Sequence, residues 1–197
     1  MPYADLDLCN QALSNCGISR LISNVNENSK EAAMCRLWLA TTKEQALAEF
    51  PWPFADTYVG LGQVATAPND DWGYSYRYPS DCVVLRRLVN GDRSGPGSPC
   101  RIGSDATGLL IFTNDSPATA LYTRRITDAS FYPIDFGQAV AWRLAYNIAE
   151  PLSAAAGKRA ACWTGYLQVV EHARATAYNE GTSDPAPDSE FITCRDS

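Results

Sequence analysis

The chain has one histidine, two methionines, no run of about 20 apolar residues, and none of the glycine-rich or histidine motifs that mark phosphate-binding, acyl-transfer or zinc chemistry. Each scarcity removes a class of function. His172 would have to serve any serine or cysteine mechanism. It sits inside a helical pattern beside Glu171 with no partner in view, so a surface helix residue is the economical reading. The seven cysteines (Cys9, Cys16, Cys35, Cys82, Cys100, Cys162 and Cys194) are odd in number and lack C-x-x-C spacing. That is the usage of small buried hydrophobes in a reducing compartment, and it implies no metal site.

Charge of one sign is also missing where it would matter. The net charge is −6 and no basic stretch occurs, so a protein that grips DNA is disfavoured, whereas a surface along which DNA passes is not. Residues 54–126 hold seven arginines and no lysine, a composition suited to planar, desolvated contacts. The paired acids Asp5/Asp7 and Asp70/Asp71 fall at a helix start and in a turn string, where carboxylates have ordinary structural roles. The first residues lack the basic and apolar blocks of a signal peptide, and a soluble protein made in a cytoplasm is expected, with no membrane partner.

What is present is a helical, then β-rich, then helical pattern. Helices are expected over residues 5–16, with Leu6, Cys9, Leu13 and Cys16 on one stripe and Gly17 as the stop, and from a cap at Asn28 to Pro51, with Glu31 completing a capping box. Short strands are expected over residues 56–61, 73–78, 82–89, 100–103, 109–113 and 119–126, separated by Asn90-Gly91, Gly95-Pro96-Gly97, 105–108 and Asn114-Asp115, which read as antiparallel hairpins. A third helix begins at Pro133 and is interrupted by Pro151, with a small-residue stripe of Gly137, Ala141, Ala145 and Ala149 that permits close helix approach. A fourth covers 158–179 with Gly181 as its stop.

The fold class is therefore α+β: an antiparallel bundle of four main helices from residues 1–53 and 127–182, an inserted antiparallel β lobe over 54–126, and an extended acidic tail over 183–197. Pro51, Trp52, Pro53 and Phe54 form the seam. Pro51 stops the second helix and Pro53 holds Trp52 extended, so Trp52 and Phe54 are expected to wedge between lobe and bundle near residues 131–136. In the string DWGYSYRYP, strand alternation puts Trp72, Tyr74, Tyr76 and Tyr78 on one face and Arg77 on the other. Such a face can build the lobe's own core, pack on a neighbouring subunit, or stack a sugar. Trp72, Tyr74, Tyr76, Arg77, Arg86 and Arg87 are accordingly candidate tail or subunit contacts. A carbohydrate- or peptide-binding module using the aromatic face is the alternative reading.

Three strings taken in order, LCNQALSNCGISRLISNVNENSKEAAMCRLWLATTKEQALAEFPWPFA, YSYRYPSDCVVLRRL and LYTRRITDASFYPIDFGQAVAWRLAYNIAEPL, resemble the tail tubular protein A or head-to-tail adaptor family of tailed, especially short-tailed, phages. The resemblance covers nearly all of residues 6–153 and rests on the ordered set. It implies a structural virion protein without catalytic residues or cofactors. Members form rings, typically dodecameric, between the portal and the tail nozzle at the head–tail junction, with double-stranded DNA passing through the channel. It further implies that the bundles pack side by side around the ring and that the C-terminal segment reaches the portal. Glu190, Phe191, Ile192 and Thr193 are the candidate portal contacts, as the apolar part of an otherwise polar segment.

Overall fold

A computed structural model describes residues 3–65, 71–89, 97–152 and 156–180. Helix α1 (Asp5–Asn15) opens with Asp5 and Asp7 in its first turn, and the Asp7 carboxylate accepts the Ala4 N–H at 3.0 Å. It buries Leu8, Cys9, Ala12 and Leu13, while Leu6 is only half-buried, so its apolar face is broader than the expected stripe. Gly17, at φ +76°, turns the chain: its N–H reaches Ser14 O at 2.8 Å, and the Ile18 N–H reaches Leu13 O at 3.0 Å. These two bonds satisfy the carbonyls that the helix end leaves open.

Helix α2 (Lys30–Glu49) is capped by Ser29, whose Oγ accepts the Ala32 N–H at 3.2 Å. The cap is therefore not Asn28. With Ser29 in that role Glu31 moves to the second helical position, where it cannot reach back to close a capping box, and it approaches Arg20 at 3.9 Å instead. At the other end the proline at 51 prevents continuation. Helix α3 (Ile134–Leu152) starts one residue after Pro133, whose carbonyl accepts the Gly137 N–H at 2.9 Å. Pro151 does not interrupt it: so near the end the missing N–H removes a single bond, and the helix runs on to Leu152. Helix α4 (Lys158–Glu180) follows; the expected stop at Gly181 lies outside the described residues.

Helix α3 is the hub, packing against α1, α2 and α4. Its small residues make this possible inside the chain. Gly137, Ala141, Ala145 and Ala149 are all buried, a Cβ on Gly137 would fall 2.2 Å from the Tyr3 ring, and Cys16 Sγ donates to Ala145 O at 3.1 Å. The small stripe is thus consumed by intramolecular packing.

The β region forms two antiparallel sheets. In one, β7 (Thr119–Arg124) lies between β1 (Asp56–Gly60) and β4 (Cys82–Val89). In the other, the order is β2 (Gln63–Val64), β3 (Tyr74–Arg77), β6 (Gly108–Thr113) and β5 (Cys100–Asp105). Of the expected hairpins, β5–β6 is one, but β1 pairs with the last strand, Asp56 opposite Thr123, so the lobe is closed by its own first and last strands. The turns at Asn90-Gly91 and Gly95-Pro96 lie outside the described residues. Pro79 to Asp81 form the turn that starts β4, with the Cys82 N–H on Pro79 O at 3.1 Å.

Two apolar clusters result. One joins the four helices and extends to Trp52, Ala55, Ile126, Ala129 and Tyr132; the other lies in the β region around Tyr76, Leu88, Ile111, Ala120 and Tyr122.

Candidate functional site

Trp52, expected between lobe and bundle, belongs to the helical cluster, and its ring neighbours Phe50, Phe54 and Phe136 belong to it as well. Its ring is 3% exposed, and its Nε1–H donates to Ala46 O at 2.8 Å, one of the carbonyls that the end of α2 leaves open. The ring lies edge-on to Phe50 and Phe136, with centroids 4.9 Å away in each case. Phe54 reaches Phe136 at 5.0 Å and Tyr132 at 6.3 Å. Pro51 and Pro53 are exposed, so they act through the backbone while Trp52 carries the contact. The Tyr132 hydroxyl donates to Ile126 O at 2.7 Å, and burial raises that phenol's pKa.

Arg86 reaches this cluster from the β side. Its Nη2 donates to the carbonyls of Leu47 at 3.1 Å, Ala48 at 3.2 Å and Phe50 at 3.0 Å, and its Nε to Thr123 Oγ1 at 2.8 Å. A guanidinium at a helix C-terminus satisfies open carbonyls and complements the negative end of the macrodipole. Arg86, a candidate tail or subunit contact, is thus engaged as an internal clamp between β4 and the end of α2. Asp56 faces it across β7; burial pushes the Asp56 carboxyl up, and Arg86 partly offsets this.

The aromatic string resolves into core. Tyr76 is 1% exposed, at the centre of the β cluster, with its hydroxyl on Asp115 O at 2.8 Å, so it is not a surface contact. Tyr74 and Tyr78 are half-buried against the same cluster, and Trp72 is half-buried. Tyr74, Tyr76 and Tyr78 pack into the β cluster, and Ser75, on the opposite face of β3, is 1% exposed as well. Arg77 forms a two-pronged pair with Asp105, Nη1–Oδ1 at 3.0 Å and Nη2–Oδ2 at 3.1 Å, which holds that carboxyl well below its usual range. Arg87 is half-buried on β4. Glu190, Phe191, Ile192 and Thr193 lie outside the described residues, as does Asp70.

Two polar groupings were not legible beforehand. Glu49, the last residue of α2, accepts from both Arg143 and the Tyr166 hydroxyl, while Arg143 stacks over the rings of Trp163 at 5.0 Å and Tyr166 at 5.1 Å. This ties α2, α3 and α4 together. Lys43 is the other: its side chain is 9% exposed, and its Nζ donates to Asp5 Oδ1 at 2.6 Å and Thr127 O at 3.0 Å. It borders a cavity of about 330 Å³ with an apolar lining of Val25, Leu39, Ala40, Leu47 and Ile126 and polar groups from Asp5, Arg36, Lys43, Glu44 and Arg125. Among these, Arg125 Nε meets Glu44 Oε1 at 2.6 Å.

His172 is exposed and stands 3.9 Å from Asp135. No group of three or more His, Cys, Asp or Glu among the described residues could hold a metal ion, and no described helix is long and apolar enough to cross a membrane. No protein-family model matches the chain, and comparison with curated proteins finds no significant relative.

Proposed function

We propose that the chain is a head-to-tail adaptor of a tailed phage. It forms a ring between portal and tail nozzle through which the genome passes, with an antiparallel helical bundle carrying an inserted β lobe and an extended tail. The observation that carries the reading, beside the sequence resemblance, is the placement of exposed apolar side chains. Phe131 is 69% and Ile134 63% exposed at the start of α3, and Leu37 is 62% exposed on α2, beside a groove shared with Met34, Trp38 and Pro151 from the far end of α3. Leu21, Tyr58, Val59, Ile102, Leu109 and Leu167 are exposed as well, and large apolar residues at several unlike places on one chain suit heterologous contact, in which one patch meets another on the next copy and repetition closes a ring.

The seam supports the same role, since a lobe held to its bundle by Arg86 transmits position from one partner to the next. The absence of a basic stretch suits a channel past which DNA slides. The test is to mix the purified chain with portal rings of the phage that encodes it and image the product by negative-stain microscopy. Added ring density beneath the portal is expected; a chain that stays apart from intact portal rings sinks the reading. The Glu190–Thr193 segment supplies the portal contact on this proposal, and deletion after Thr182 should abolish attachment.

A further inference from the structure

The cavity bordered by Lys43 is shaped for a particular kind of guest. Its apolar lining is aliphatic, from Val25, Leu39, Leu47 and Ile126 with Ala40 at the exposed wall, and its volume of about 330 Å³ exceeds that of one large side chain. Its rim sets three cations, Arg36, Lys43 and Arg125, against two carboxylates, Asp5 and Glu44. Lys43 donates to Asp5 and the Thr127 carbonyl and stands 5.6 Å from the centroid of the Tyr132 ring, and Arg125 meets Glu44, so one cation of the rim, Arg36, is in excess. The matching guest is an apolar side chain next to a single negative charge.

The chain contains such a segment outside the described residues. Residues 183–197 carry four carboxylates against one arginine, and within them Glu190 immediately precedes Phe191-Ile192, their only adjacent pair of large hydrophobes. We infer that this cavity holds the chain's own Glu190-Phe191 segment, with Phe191 against the aliphatic lining and the Glu190 carboxylate at the cationic edge beside Arg36. Length permits it. Helix α4 passes the end of α2, where Arg174 stacks over the Phe50 ring at 5.7 Å, and Lys43 lies back along α2 by seven residues, about 10 Å at 1.5 Å per residue. The 11 residues from Gly181 to Phe191 reach roughly 35 Å when extended.

Because the segment is the one assigned to the portal, docking in the cavity would store it until a portal displaces it; that storage role rests on the adaptor reading, whereas the docking does not. The cavity and its guest are opposite in charge, and tethering gives the guest an effective concentration in the millimolar range.

The experiment needs no portal, so its failure and the failure of the adaptor reading are separable. A fluorescein-labelled synthetic peptide of residues 183–197 is titrated with full-length wild type and with full-length Phe191→Ala, and binding is read by anisotropy. Phe191→Ala frees the cavity, so it should bind the peptide at least tenfold more tightly than wild type does. Adding Ala40→Glu, at an exposed position on the cavity wall, should abolish that binding, and the uncharged Ala40→Gln, which narrows the mouth, should weaken it. Equal binding by wild type and Phe191→Ala, no binding by Phe191→Ala, or binding indifferent to both Ala40 substitutions overturns the inference. So does a concentration-dependent increase in wild-type mass, by light scattering, that Phe191→Ala removes, since the segment would then occupy a neighbour's cavity.

Discussion

Arg86 on β4 and Phe50 at the end of α2 are joined by a hydrogen bond of 3.0 Å, from the guanidinium Nη2 to the backbone carbonyl. The same nitrogen serves Leu47 and Ala48, so one side chain of the β region closes the helix that precedes it. A lysine at this position keeps the charge but cannot fan its donors over three carbonyls while also holding Thr123. Arg86→Lys is expected to cost about 2 kcal/mol, because carbonyls partly shut off from water lose their partners. Urea denaturation checks this, and a loss below about 0.5 kcal/mol would show that the clamp contributes little.

Trp52 closes the same helix end from within the helical cluster. Trp52→Ala empties a site bounded by Phe50, Phe54 and Phe136 and should destabilise the chain by about 3–5 kcal/mol. Trp52→Phe keeps part of the ring volume and loses mainly the Nε1–H bond to Ala46, an expected loss nearer 1–2 kcal/mol. Equal losses for the two variants would assign the stabilisation to the hydrogen bond. If the adaptor reading holds, Trp52→Ala should also impair ring assembly more than it lowers helix content, measured by light scattering and circular dichroism.

The helices and most strands were legible because local signals announce them. Leu8 to Leu13 and Phe136 to Ile148 recur at helical spacing, and turn residues bracket Cys82–Val89. The pairing of β1 with β7 was not, since no local signal tells Asp56 that its partner is Thr123. The same limit explains Tyr76: alternation sets which residues share a face, and only the second sheet decides that this face is covered. Lys43, Glu49 and Arg143 were missed for a different reason. A charge on a helix reads as solvated until its partners, here Asp5, Tyr166 and Trp163, arrive from other helices.

Glu27 gives a pH signature. Its carboxylate accepts the Ser23 N–H at 2.9 Å and the Ser23 hydroxyl at 3.0 Å, and the Ser23 N–H, then the Ser29 and Ser23 hydroxyls, lower its pKa from 4.5 to about 2. A depressed carboxyl contributes stability that is fully present above its ordinary value and is lost as pH falls through the folded-state value. The loop between α1 and α2 should therefore keep this contact at pH 4.5 and release it toward about pH 2. In an NMR titration the Ser23 amide should shift with an inflection near the lower value, and Glu27→Gln should abolish the transition. An inflection near the ordinary value would mean that the bonds do not persist in solution.

The thiols report on the helical core. Cys9, Cys16, Cys35 and Cys162 are buried, while Cys100 is half-buried on β5. Burial, reinforced by the nearby Cys162, pushes the Cys16 thiol up to about 12. At pH 8 that leaves it about a thousandfold less thiolate than an ordinary cysteine, and the thiolate is the species that reacts with iodoacetamide. Brief alkylation of the native protein should modify Cys100 and spare the four helical thiols, and addition of guanidinium should bring all of them to reaction, as read by peptide mass spectrometry. Between these limits the order of reaction tracks local opening. Cys16 and Cys162, where α1 meets α3 and α4, should lag behind Cys100 at every denaturant concentration below the unfolding midpoint. Native labelling of Cys16 at the rate of Cys100 would mean that α1 does not stay packed on α3.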